Sequence, residues 1–187
     1  QIIMGDTADF NPIQVSIGQF YGIEINDFAV TVAKTALWIA ESQMMKETEA
    51  IVHMHLDFLP LTSYANIVEG NALRIDWETV VSKDKLNYIM GNPPFVGSSI
   101  MAQGSEQKQD VQRVFDFLEK NEVQDLDYVT CWYKLAVDYI RNTNIEVCFV
   151  STNSIAQGSQ VPILWGALLK QGNVHINFAY QTFKWNS

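Results

Sequence analysis

What this 187-residue sequence lacks narrows its chemistry first. No apolar run approaches the roughly 18 residues of a membrane span, and the N-terminal residues do not follow the basic-then-apolar plan of a signal peptide. The expectation is a soluble, cytoplasmic protein with no membrane partner. Cysteine is scarce. Cys131 and Cys148 stand alone, with no Cys-x-x-Cys pair, which argues against a disulfide framework and a cysteine-based zinc site. Both read as reduced core thiols. Positive charge is scarce too: 12 Lys and Arg face 21 Asp and Glu, for a net charge of −9. A free-standing nucleic-acid binder neutralises phosphates with clustered basic residues, so any DNA substrate would need charge supplied from elsewhere. Finally, no Gly-x-Gly occurs anywhere in the chain.

What is present describes a folded α/β chain. With 48% hydrophobic residues it can bury one substantial core, and disorder is excluded. After an irregular approach over residues 1–19, Phe20-Tyr21-Gly22-Ile23-Glu24-Ile25 reads as a short buried parallel strand. Asn26 is placed to cap a helix over about 27–45, where Val30, Ala33, Ala36, Leu37 and Ala40 recur at helical steps and Asp27 sits at the positive end of the dipole. Strands are expected at 66–70, 86–91, 145–150 and 174–180, and helices at 106–120, 126–141 and 161–169. This alternation implies right-handed crossovers and a mostly parallel sheet flanked by helices, in a single domain over 1–187. A start at Gln1 and an apolar-aromatic stretch over 178–185 lead us to expect a fragment, truncated at both ends.

In such sheets ligands bind beyond the carboxyl ends of the strands. Those ends carry Glu24, Asn71, Asn92 and the run Ser151-Thr152-Asn153. The sequence at Asn92 is distinctive: Asn92-Pro93-Pro94-Phe95 matches the Asp/Asn-Pro-Pro-aromatic pattern of amino-group methyltransferases that use S-adenosylmethionine. By ordinary residue frequencies it should arise by chance in roughly one chain in a few hundred of this length. The residue types suit the chemistry. An exocyclic amino group conjugated to a ring is a poor nucleophile, because its lone pair is delocalised. Two acceptors that bind its hydrogens, the Asn92 side-chain oxygen and the Pro93 carbonyl, favour a pyramidal nitrogen with an available lone pair. The prolines stiffen the loop, and Phe95 offers a face for a flipped-out base. The plainer reading is that Pro93-Pro94 only ends a strand, Asn92 turns the chain and Phe95 covers core.

The sequence resembles the gamma-type adenine-N6 DNA methyltransferases, and most closely the methyltransferase region of type IIG single-chain restriction–modification enzymes. The resemblance rests on Phe20-Tyr21-Gly22-Ile23-Glu24-Ile25, Asn71-Ala72-Leu73-Arg74-Ile75-Asp76-Trp77, Gly91-Asn92-Pro93-Pro94-Phe95-Val96-Gly97, the stretch from Val150-Ser151-Thr152-Asn153 to Gly158, and Phe178-Ala179-Tyr180-Gln181-Thr182-Phe183-Lys184-Trp185. It implies a Rossmann-like, S-adenosylmethionine-dependent fold that methylates the N6 amino group of adenine in DNA. It further implies that Asn92, Pro93, Pro94 and Phe95 are the catalytic motif, and that Glu24, Ile25, Asn71 and Ala72 bind the cofactor. Glu24 matches the acidic residue that takes the ribose hydroxyls. Asn71 stands where the family usually has Asp, and an amide serves that role more weakly. Phe183 matches an aromatic beside the flipped adenine, with Phe178 as a competing alignment; core packing is the plainer role for either. Double-stranded DNA would be gripped by domains outside this segment, with only Lys83, Lys85, Lys108 and Arg113 available locally. Other amino-group substrates, an RNA base or a protein glutamine, and a module without turnover are the alternatives.

The remaining constellations are weaker. His53 and His55 would share one face of a strand, but only Asp57 lies nearby as a third ligand, so no metal site is expected. Trp38, Trp77, Trp132 and Trp165 read as core rather than a stacking platform. Cys131 has no neighbouring activating group and reads as inert. The family's glycine-rich turn, which cradles the methionine end of the cofactor, belongs before Phe20 and is missing. Residues 1–187 alone should therefore bind S-adenosylmethionine weakly or undetectably in calorimetry, and binding in the micromolar range would contradict this.

Overall fold

Among the described residues each of the four strands is four residues long, so each depends on a paired neighbour for its backbone hydrogen bonds. The computed structural model describes residues 13–53, 65–170 and 174–183, and the chain divides into two compact units, Gln1–Val80 and Val81–Ser187. In the first, β1 (Tyr21–Glu24) pairs in parallel with β2 (Asn66–Glu69), in a register that sets Glu24 opposite Glu69. In the second, β3 (Tyr88–Gly91) pairs in parallel with β4 (Glu146–Phe149), with Gly91 opposite Phe149. Parallel partners require a crossover of a dozen residues or more, and helices supply it in both units. The short parallel ladders and their helices are those of an α/β protein.

In the first unit the connection is α1 (Asp27–Val52). Asn26 stays extended and its side-chain oxygen accepts from the Ala29 N–H at 3.0 Å, while Asp27 lies in the first turn. A cap of this kind contributes about 1 kcal/mol. Among the described residues of this unit, Ile17, Val30, Ala65 and Leu73 are the buried apolar ones. Trp38, expected in the core, is exposed on α1. A short helix, α2 (Trp77–Val80), ends the unit.

In the second unit the crossover from β3 to β4 holds α3 (Glu106–Val114), α4 (Lys120–Val123) and α5 (Thr130–Ile140), and α6 (Gln160–Lys170) follows β4. The helix expected over 106–120 stops early because Phe115 leaves the helical region, at φ −114 and ψ 40. Its ring is fully buried with Val111, Leu126, Leu164 and Leu168. Burial of that side chain outweighs one more helical turn. Tyr133 of α5 stands edge-on to Phe149 of β4 at 5.3 Å and to Trp165 of α6 at 5.7 Å, which locks the two helices to the strand.

Several expectations change here. The final strand over 174–180 does not form: residues 174–183 pair with no strand. Their alternating Val174, Ile176, Phe178 and Tyr180 carry the period-2 signal, but a strand exists only where a neighbour takes up its N–H and C=O groups, and among the described residues none does. Cys148 is exposed rather than core, because it lies on the outward phase of β4. His55 and Asp57 lie outside the described residues. Among the described residues no group of three or more His, Cys, Asp or Glu is placed to hold a metal, and no helix is long and apolar enough to cross a membrane.

Candidate active site

The second unit presents the loop that follows β3. The ladder runs to its last rung, where the Val150 N–H donates to the Gly91 carbonyl at 3.0 Å, and Asn92 then leaves the sheet. Pro93 and Pro94 have no N–H with which to extend the pairing, so the strand must stop at this point. Pro93 is buried and anchors the loop, while Asn92, Pro94 and Phe95 are exposed. Among the described residues no partner takes the Asn92 side chain, and the residue is exposed. Phe95 is 42% exposed, two positions beyond the buried Pro93.

Phe95 borders a cleft of about 1490 Å³ within this unit. Ser151, Thr152 and Asn153, at the end of β4, line it as well, and so do Phe178 and Phe183. Both aromatics in competition for the base-packing role therefore border the same space, each largely exposed. Asn92, Pro93 and Pro94 are not among the lining residues. The Ser151 Oγ is buried and makes no well-formed hydrogen bond, yet it lies close enough to Tyr133 to temper that phenol. Burial pushes the Tyr133 hydroxyl up from its ordinary value, the Ser151 hydroxyl opposes this, and Cys148 adds to it. Tyr133 therefore stays a neutral donor at physiological pH.

Reading the sequence did not single out Asp127. It precedes α5 and is buried, and its carboxylate accepts from the Ser98 N–H, the Ser154 hydroxyl and the Gln160 amide. Its backbone oxygen accepts from the Thr130 hydroxyl at 2.6 Å. The only signal in the sequence is an Asp a few residues ahead of a helical stripe, which reads as an ordinary cap. The basic residues also change standing. Lys108 is 4% exposed, with its Nζ donating to the Gln124 carbonyl at 3.0 Å, and Arg113 pairs with the buried Asp110 at 2.9 Å. Lys108 is thus withdrawn from any surface role.

The first unit gathers the other expected residues at one end of its ladder. Glu24 closes β1, and its Oε1 accepts from the Asn26 N–H at 3.0 Å, which leaves Oε2 to accept from elsewhere. Ile25 follows, 68% exposed. At the end of β2, Gly70 donates its N–H to the Glu24 carbonyl at 2.8 Å and turns the chain at φ +155. That φ is one which L side chains rarely adopt, so the turn favours glycine. Asn71 then folds back on itself: its Oδ1 accepts from the Leu73 N–H at 2.9 Å and its carbonyl from Arg74 and Ile75. The Ala72 carbonyl is held by the Trp77 indole N–H at 2.8 Å. Glu24, Ile25, Asn71 and Ala72 thus share one edge of this unit.

Comparison with known proteins is consistent across sequence and structure. The profile of the family described as "MmeI, DNA-methyltransferase domain" matches residues 2–187. DNA methyltransferase A of Bacillus subtilis (strain 168) is 44% identical over 174 residues, covering 91% of this chain and 19% of the relative. The structure of the type IIL restriction–modification enzyme MmeI in complex with DNA superposes with a TM-score of 0.78 at 44% identity, over 86% of this chain and 21% of that one. The chain spans about a fifth of the length of each.

The two cysteines give a direct check on the second unit. Burial pushes the Cys131 thiol far up, the Asp110 carboxylate adds to this, and Arg113 opposes it. At pH 8 a maleimide should label Cys148 and leave Cys131 unmodified until denaturant is added, as read by peptide mass spectrometry. Labelling of Cys131 in the folded protein would contradict the packing around α5.

Proposed function

This chain belongs to the MmeI DNA-methyltransferase domain family, and we propose that it transfers a methyl group from S-adenosylmethionine to the N6 amino group of adenine in DNA, within a restriction–modification enzyme. On this reading residues 1–187 are part of one Rossmann-like catalytic domain, with double-stranded DNA held by segments beyond them. The observation that carries the proposal is the loop Asn92-Pro93-Pro94-Phe95. It leaves a parallel strand beside a large cleft, with an exposed Asn92 amide that no described residue occupies. Solvent exposure of a rigid, proline-locked amide and an aromatic ring has no evident use in packing.

The residues present suit the adenosine part of the cofactor. A carboxylate with one oxygen available suits a pair of ribose hydroxyls, and the exposed Ile25 suits the face of a flat base. With no Gly-x-Gly in the chain, these residues do not account for the methionine end. When bound, S-adenosylmethionine supplies a methyl group activated on a sulfonium. The chain's part is positioning. The Asn92 Oδ1 and the Pro93 carbonyl accept the two amino hydrogens, hold the lone pair toward the methyl, and stabilise the positive charge that grows on nitrogen as the bond forms. Phe95 stacks on the extruded ring, and Phe183 or Phe178 closes the other side. Pro93, buried, keeps its carbonyl from swinging away.

The test is nucleoside mass spectrometry on plasmid DNA treated with the full polypeptide and S-adenosylmethionine. N6-methyladenine should accumulate, and Asn92→Ala should slow it by at least about a hundredfold while DNA affinity stays within a few-fold. Methylated cytosine instead, or an unchanged rate in the variant, would overturn the proposal, and no methylated nucleoside would overturn it in favour of an RNA or protein amide as substrate.

A further inference from the structure

Asp127 touches neither end of the proposed chemistry, yet three separated stretches of the second unit converge on it. The Ser98 N–H, three residues beyond Phe95, donates to Oδ1 at 2.7 Å. The Ser154 hydroxyl and the Gln160 side-chain amide donate to Oδ2 at 2.5 Å and 2.7 Å. Gln160 answers by accepting from the Asp127 backbone N–H at 3.1 Å, so the two residues form a paired clamp. Two further bonds extend the network: the Tyr128 N–H donates to the Val96 carbonyl at 2.9 Å, and the Ser154 and Thr152 hydroxyls lie 2.6 Å apart. Asp127 is 8% exposed and Gln160 4%.

We infer that Asp127 is a positioning residue: its carboxylate ties the loop carrying Phe95 to the loop carrying Thr152 and Asn153, and so sets the width of the cleft between them. The inference rests on the function proposed above. The physical argument is the donor count. A carboxylate withdrawn from water is tolerated only when donors replace its hydration, and here every donor comes from a segment that borders the cleft or anchors one that does. Lengthening any of these bonds shifts a cleft wall, and a shift of about 1 Å in the groups around a reacting atom lowers turnover by up to about a hundredfold.

An amide at 127 cannot satisfy this arrangement. Whichever way it is turned, its NH₂ meets a donor: the Ser98 N–H on one side or the Gln160 NH₂ on the other. Changing Gln160 to Glu restores the match, because the new carboxylate accepts both from the Asn side chain and from the backbone N–H of residue 127, while the Ser154 hydroxyl reverses to accept. The pair therefore supplies a double-mutant cycle.

The experiment uses the full polypeptide as wild type, D127N, and D127N with Q160E. In D127N, backbone hydrogen exchange over 96–101 and 152–156 should accelerate at least about tenfold. In the same variant kcat for DNA methylation should fall about ten- to a hundredfold, with KM for DNA and for S-adenosylmethionine within about twofold. The double variant should recover both to within about threefold. A D127N protein with wild-type kcat, unchanged exchange in those segments, or a loss that Q160E does not recover would overturn the inference. If wild type methylates no DNA, the function is wrong, and the exchange arm alone decides the clamp: acceleration with recovery supports it, and no change overturns it. If D127N does not fold, Ser154→Ala removes one donor and keeps the Asp127–Gln160 pair. A several-fold drop in kcat at constant KM supports the inference, and an unchanged kcat overturns it.

Discussion

Parallel pairing of very short strands is the constraint on which the rest of the structure depends. A four-residue parallel ladder is weak by itself, so it persists only where helices cover it and the crossover returns the chain to the same starting edge. One consequence is that strands in each unit end side by side and point the same way. In the first unit this brings Glu24 and Ile25 next to the turn at Gly70 and Asn71. In the second it brings Asn92 next to Val150 and Ser151, through the bond from the Val150 N–H to the Gly91 carbonyl. The candidate site residues are the ones that this geometry leaves beyond the last rung.

The second unit sets rigid support against exposed groups. Tyr133, Phe149 and Trp165 interlock edge to face, and Phe115, Leu126, Leu164 and Leu168 are fully buried. Beyond the end of β3, Asn92 and Phe95 are exposed on a loop that carries a buried proline and is tied by a carboxylate network reaching from Ser98 to Gln160. Apolar burial supplies stability, whereas the polar network supplies a defined spacing between loops. The two functions fall on different residues, which is why Asp127 can be perturbed electrostatically without emptying the core.

Reading the sequence recovers what is local. The strands at β1, β2, β3 and β4 show as short apolar runs bounded by turn residues, α1 shows through its Asn26 cap, and the motif loop shows because two prolines after an apolar run admit few alternatives. The misses depend on distant partners. Residues 174–183 have strand-like alternation, but only pairing decides whether a strand forms. Phe115 ends α3 because of what it buries. Lys108 looks like a surface cation and is sequestered by a carbonyl sixteen positions along the chain. Asp127 is invisible for the same reason, its partners lying 27 to 33 residues away. At the candidate site, residue types at strand ends are legible, whereas the network that holds them is not.

The central claim is that the loop after β3 grips an extruded adenine by its amino group. The most direct measurement is a crystal structure of the full polypeptide bound to a DNA duplex and an unreactive analogue of S-adenosylmethionine. The account predicts an adenine out of the helix, its ring against Phe95 and its N6 within about 3.2 Å of the Asn92 Oδ1 and the Pro93 carbonyl. An adenine that stays stacked in the duplex, or a base whose amino group contacts neither acceptor, would contradict it.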